Sequence, residues 1–381
     1  MSKTINSHIV AGLVWSFALT GGAAETPAKF LGANSCASSS CHGGGGAKQN
    51  QFLVWSLKDF HSQRPPATLA TARAKQIADA LAIKDPATDV RCTACHAPLN
   101  LVPEKLHGEN FKASEGVSCE SCHGPAENWL RSHTRKDYTH ADRTSAGMRD
   151  LKNLYVRANT CVACHQNVDN DILKAGHPEL IFELDGQSAA EPKHWGAEKN
   201  GNSAQAWFVG QAVALREMSW QLANEKSPTE DQINRWAGLF WVSKAALQSI
   251  SDRVGDKTLP TAPTAAVKAA ELVQSELDRG ARRYATATWT DDMTRKILFA
   301  VANTTESLRD SSISQALQAR RAERLVLALD RLVAALPELK NSEPAQSALN
   351  QLFHLAQSVP NFDPKPFAAA LENFAAAIAP H

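Results

Sequence analysis

The sequence predicts a mainly α-helical chain in two parts, a loop-rich N-terminal part followed by an all-helical C-terminal bundle. Three observations carry this. All eight cysteines fall between positions 36 and 164. From about residue 203 the apolar residues recur at alternating spacings of four and three, the period of an amphipathic helix. Alternating strand patterns are nearly absent.

The chain opens on a segment that reads as an export signal over residues 1–24: Lys3, then the apolar run "HIVAGLVWSFAL", then small residues ending at Ala24. The run is too short to span a bilayer comfortably and no second candidate follows, so no integral span is expected in the mature chain. The destination is the periplasm or another exported compartment. A formal charge of +1, from 40 basic and 39 acidic residues, gives no reason to expect nucleic acid or an anionic membrane as partner.

Every cysteine belongs to one of four stretches in which histidine directly follows the second cysteine. They are "CASSSCH" (Cys36, Cys41, His42), "CTACH" (Cys92, Cys95, His96), "CESCH" (Cys119, Cys122, His123) and "CVACH" (Cys161, Cys164, His165). Disulfides and zinc both use paired cysteines, but neither requires that histidine. Haem attachment does: two thioether bonds hold the porphyrin edge, and the adjacent imidazole reaches the iron. The pattern therefore predicts four covalently bound haem c groups, with His42, His96, His123 and His165 as proximal iron ligands. The first stretch has a wider loop, four residues between its cysteines instead of two.

Each iron has a second axial position. Only Met148 among the four methionines lies within this region; Met218 and Met293 lie far down the chain, and Met1 is in the signal. Six further histidines lie there: His61, His107, His133, His140, His177 and His194. His61 follows the first attachment loop on a helix. His133 shares a helical face with Trp129, His177 sits in a stiff Gly-His-Pro turn, and His194 neighbours Trp195. These four are the expected distal ligands, ahead of His107 and His140 in polar surroundings. Which histidine serves which haem stays open.

The four motifs, followed by "GVSCESCHGP", "GHPEL" and "KHW", resemble the tetrahaem cytochromes c that accept electrons from hydroxylamine oxidoreductase. The resemblance spans roughly residues 30 to 200. It implies mostly bis-histidine haems in stacked and angled pairs, and an open sixth position on the iron of His96. The wide first motif and the long cysteine-free extension depart from that pattern.

These readings place a signal at 1–24, a tetrahaem domain at 25–200 and a helical bundle at 201–381. Prolines and polar residues punctuate the haem region, with a glycine run at 43–46. In the bundle, Phe208, Ala212, Leu215, Ser219 and Leu222 form one stripe. The next helix opens on "SPTE", with Ser227 as cap and Glu230 closing a capping box. Its apolar face runs through Ile233, Trp236, Phe240, Leu247 and Val254 to a stop at Gly255. Further helices start near Thr264, Thr290, Ser314, Ser342 and Asp363. Trp207, Trp220, Trp236 and Trp241 read as core, His354 as an ordinary helix residue, and "ARRAERL" as a solvated face. The leading functional reading is an electron carrier between redox partner proteins. The alternatives are a multihaem oxidoreductase acting on a small nitrogen or sulfur compound at one open haem, or a subunit of a larger cytochrome complex.

Overall fold

The computed structural model describes residues 27–46, 48–194, 202–250, 263–357 and 361–379. The signal at 1–24, Trp195, Val254 and Gly255 lie outside them. The described chain is mainly helical, without a strand; the one β-bridge pairs Phe30 with His107. The described residues fall into two compact units, one within 27–75 and 84–149 and the other within 76–83 and 150–379.

The first unit is made of short helices: α1 (Gln51–Lys58), α2 (Phe60–Thr68), the start of α3 (Ala72–Ala80), α4 (Val90–His96), α5 (Cys119–His123) and α6 (His140–Ser145). Asp59 stops α1 and caps α2, its carboxylate accepting from the His61 backbone N–H. Asp89 caps α4 in the same way, through Arg91 N. Among the described residues, its buried apolar side chains beyond alanine and Cys36 are Val54, Leu69, Leu99 and Trp129.

The second unit holds α7 (Leu154–His165), α8 (Asn170–Lys174), α9 (Leu184–Ala190), α10 (Ser203–Asn224), α11 (Glu230–Ile250), α12 (Pro263–Ala285), α13 (Asp291–Ala302), α14 (Thr305–Arg309), α15 (Gln315–Ala335), α16 (Pro337–Lys340), α17 (Glu343–Ala356) and α18 (Pro364–Ala377). Four helix starts fall where the sequence places them. Thr290, Ser314, Ser342 and Asp363 each accept a hydrogen bond from the first turn. The cap of α11 differs: Thr229 and Gln232 form the reciprocal pair, not Ser227 and Glu230. Glu230 is itself the first helical residue, which moves the box two positions along.

The stripe read on α10 is too narrow a description. Residues from Ala204 to Leu215 are buried without a break, because α10 runs through the centre of the unit. It packs against α7, α9, α11 and α12. The segment with the fourth Cys–Cys–His stretch therefore belongs with the bundle, and the unit division does not follow the composition change near residue 200. Phe182 and Leu184 are fully buried there, and Arg331 binds the Glu183 carboxylate at 3.0 Å.

Trp207, Trp236 and Trp241 are core residues as expected, whereas Trp220 is 45% exposed. The run "ARRAERL" is not a solvated face. Arg321 and Arg324 are buried, with Arg321 over the Trp241 ring at 5.3 Å. Arg320 and Arg324 both reach Glu179, at 3.0 and 3.4 Å. The long aliphatic stems pack like apolar residues while the guanidinium groups find acceptors, which a polarity pattern cannot register.

Helices α11 and α15 cross at Gly238, where an added Cβ would lie 3.0 Å from Arg320 backbone atoms. Gly238→Val is therefore expected to separate the helices and destabilise the protein by about 1–3 kcal/mol. Chemical denaturation should show this with the haem content unchanged.

Candidate haem attachment sites

Three of the four stretches share one local form: α4, α5 and α7 each end on the motif histidine. In a helix, residues i, i+3 and i+4 lie on one face. Both thiols and the imidazole of Cys92, Cys95, His96 therefore share a face, as do those of Cys119, Cys122, His123 and of Cys161, Cys164, His165. The helix ends there, so the histidine also lies near the negative end of the helix dipole.

The wide first motif reaches a similar convergence by another route. Cys36 ends a 3-10 helix (Ala33–Cys36), and the chain then turns so that Cys41 N donates to Ser38 O and His42 N donates to Cys36 O. The two additional residues are absorbed in this turn. Gly43 closes it, and a Cβ there would lie 1.8 Å from the Ala37 carbonyl oxygen.

All eight cysteines are free thiols. The Cys36 and Cys119 thiols lie close enough to act on one another, so the first and third motifs are side by side. That interaction lowers the Cys36 thiol and, with burial, pushes Cys119 far up. Burial also raises Cys92, and pushes Cys161 up to about 11 with a smaller push from Glu191.

The histidines divide by which ring nitrogen the protein occupies. His42 Nδ1 is 2.9 Å from Gln51 Oε1, and His61 Nδ1 is 3.0 Å from the buried Asp59 carboxylate. His96 Nδ1 meets Pro65 O at 3.0 Å and Thr68 Oγ1 at 2.8 Å. His133 Nδ1 meets Leu130 O at 2.6 Å, His177 Nδ1 meets Pro178 O at 2.8 Å, and His194 Nδ1 meets Pro192 O at 3.3 Å. Holding Nδ1 fixes the ring and directs Nε2 as the ligand nitrogen, the usual support for a metal-bound imidazole. His107 is the reverse case. Its Nε2 lies 2.8 Å from Val102 O, and its ring stacks on Phe111 at 3.9 Å. His140 is the first residue of α6.

Two of these rings face each other. His42 and His133 have centroids 6.1 Å apart and planes 17° from parallel. That is too far for ring-on-ring contact. Two imidazoles binding one metal from opposite sides through bonds of about 2 Å have centroids roughly 6 Å apart. Trp129 meets the His133 ring edge-on at 5.5 Å, so the pairing read from "WLRSH" holds, in a turn and a 3-10 helix rather than an α-helix. The Trp129 indole N–H is buried without a partner among the described residues. It is a donor suited to an acidic oxygen of a bound group.

The sequence reading passed over the carboxylates that hold the first motif in place. Glu120, inside "CESCH", is 1% exposed. It accepts from Leu31 N at 2.9 Å, Gly32 N at 2.7 Å and Ala126 N at 2.7 Å. Glu115 accepts from Ala33 N, and Glu127 from Lys29 N. Three carboxylates thus capture the strand of backbone leading into Cys36. The available signal was a charged residue placed between two cysteines that must be buried. Met218, on α10 as its helical pattern suggests, lines a cleft with Gln166, the neighbour of His165, together with Arg235 and Trp236.

Residues 35–124 match the family model described as cytochrome c554 and c-prime. The matched stretch contains the first three motifs. No curated protein and no solved structure matches the chain. The family match supports a c-type cytochrome, with covalently bound haem and a role in electron transfer. No helix among the described residues is long and apolar enough to cross a membrane.

Burial raises the Glu120 carboxyl while the three backbone N–H groups pull it down. A raised folded value contributes stability that is complete below the ordinary carboxylate range and is lost as pH rises through the folded value. Glu120→Gln also turns an amide NH2 toward backbone donors, at a cost of about 1–3 kcal/mol. Thermal unfolding of the haem-loaded protein should show the variant less stable, with the gap widest at acid pH and narrowing as pH rises.

Proposed function

We propose that the chain is an exported tetrahaem c-type cytochrome that passes electrons between redox partner proteins along closely placed, mostly bis-histidine haems. The observation that carries this is the recurrence of one chemical unit, two thiols and an imidazole converging four times, beside further imidazoles held through Nδ1.

Cys36 and Cys41, Cys92 and Cys95, Cys119 and Cys122, and Cys161 and Cys164 hold the four groups by thioether bonds. His42, His96, His123 and His165 are the proximal ligands. His61, His133, His177 and His194 would be the distal ligands, and the facing rings of His42 and His133 would serve one group. The Trp129 indole N–H would donate to an anionic oxygen of that group. Bound haem supplies a one-electron couple, and an iron closed by two imidazoles offers no position to substrate. Gln51, Asp59 and the backbone carbonyls of Leu130 and Pro178 keep the ligand rings in one orientation, so little has to move when charge changes. The small apolar core of the first unit supports the same reading, since large apolar cofactors can take the place of side-chain packing.

An oxidoreductase reading is favoured by one observation. His107, the nearest additional histidine in sequence to His96, has its Nε2 committed to Val102 O. That fits an open sixth position at the iron of His96 and would confine small-molecule chemistry to that site.

Protein matured in a host with cytochrome c assembly machinery should carry four haems by intact mass, and these should survive denaturation and acid–acetone extraction. Cys36→Ala with Cys41→Ala should lower the count by one. Zinc without haem in such material would sink the proposal.

The oxidised spectrum should be dominated by low-spin haem. Carbon monoxide should perturb at most one of the four reduced haems. Ready binding at two or more would remove the electron-carrier reading, and binding at none would remove the enzyme alternative. His133→Ala should convert one haem from low-spin to high-spin while the haem count stays at four.

A further inference from the structure

The corner between α1 and α2 is unlike the rest of the first unit. Leu57 is 77% exposed and Phe60 is 62% exposed, two large apolar side chains three residues apart. Lys58 lies exposed between them in sequence, and the exposed Arg64 places its guanidinium 4.2 Å from the centre of the Phe60 ring. Neither cation forms an ion pair among the described residues.

The segment that carries this corner is one-signed in its sequence. Between residues 27 and 75 the chain carries six cations, Lys29, Lys48, Lys58, Arg64, Arg73 and Lys75, and a single carboxylate, Asp59. Asp59 is 7% exposed and turned inward to the His61 ring. The near-zero charge of the whole chain hides this segment, because the acidic residues lie elsewhere.

The corner is also joined to ligand histidines. One peptide bond links Phe60 to His61. Farther along the same helix, Pro65 O and Thr68 Oγ1 hold the His96 ring. Helix α2 thus carries a surface patch at one end and supports two imidazoles of the proposed haem sites.

We propose that Leu57, Lys58, Phe60 and Arg64 form the docking surface for an acidic one-electron redox protein. The inference rests on the electron-carrier reading and names the partner chemistry and the entry face. Two exposed apolar side chains flanked by Lys58 and Arg64 match the anatomy of a small transient interface: apolar contact at the centre, charge beside it for steering. One electron passes from the reduced partner, which is oxidised, to ferric iron of the chain, which is reduced. No bond is made or broken.

The test uses haem-loaded protein in stopped flow, with reduced plant-type ferredoxin as the acidic donor and the neutral 5-deazariboflavin radical as a donor that needs no docking. Reduction of the wild type by ferredoxin should slow as salt rises. Lys58→Glu with Arg64→Glu should slow it at least about tenfold at low salt and flatten the salt dependence. Leu57→Ser with Phe60→Ser should slow it at every salt concentration. Neither pair should change the Soret spectrum or the deazariboflavin rate. Ferredoxin rates equal to wild type in both variants would overturn the proposal. So would a changed Soret band with slower deazariboflavin reduction, since the side chains would then pack on a haem. Binding to phosphatidylglycerol vesicles that is lost in the charge variant, with ferredoxin rates unchanged, would assign the corner to a membrane instead. Failure of the wild type to be reduced by either donor would remove the electron-carrier reading itself.

Discussion

A folded unit must cover apolar surface to offset the ordering of its backbone, and the first unit has few side chains with which to do so. Val54, Leu69, Leu99 and Trp129 are its sizeable buried apolar residues among those described, each worth at most about 3 kcal/mol. Fixing each backbone residue costs about 1–2 kcal/mol, so four such side chains cannot organise more than a hundred residues. The second unit faces no such constraint: Trp207, Phe208, Leu215, Trp236, Leu239 and many others close around α10. The two units therefore use different solutions. The bundle is held by helix packing, whereas the first unit is shaped by groups that converge on shared points, thiol pairs, imidazoles and the carboxylate of Glu120.

Glu120 shows how that convergence is made without a core. Its two oxygens gather backbone N–H groups from Leu31, Gly32 and Ala126, which lie on different segments. Charge-assisted hydrogen bonds of this kind fix backbone direction more strictly than apolar contact does. The segment before Cys36 is thereby aligned against α5, and the Cys36 and Cys119 thiols meet. The wide first motif then needs only a tight turn at Ser38–Gly43 to return His42 to the level of Cys36. Motif spacing is thus less restrictive than it looks, because it is the end point of the chain, rather than the number of intervening residues, that the site constrains.

How much of this was legible in the sequence depends on the range of each interaction. Attachment motifs and helix caps are local, and the cysteine–histidine stretches and the caps at Thr290, Ser314, Ser342 and Asp363 could be read from neighbouring residues. The cap at Ser227 failed for an equally local reason, since Thr229 two residues on offered a competing hydroxyl with Gln232 in reach. The Glu120 latch, the proximity of Met218 to Gln166 and the burial of Arg321 and Arg324 arise from residues far apart in the chain. No window of sequence contains both partners. The ring-nitrogen distinction between His107 and the other histidines has another cause: Val102 is only five residues away, but which ring nitrogen meets its carbonyl depends on how the backbone turns between them.

Charge follows the same division between local and total quantities. A net charge near zero suggested no preferred sign of partner, yet the segment from residue 27 to 75 has a single carboxylate, buried against an imidazole. What an approaching protein senses is the field within about a Debye length, roughly 8–10 Å at moderate salt, and not the sum over the chain. The burial of Asp59 thus has two effects. It fixes the His61 ring, and it withholds from the surface the one anion that this segment carries. The interaction that orients a ligand imidazole is in this way the same one that leaves the neighbouring α1–α2 corner basic.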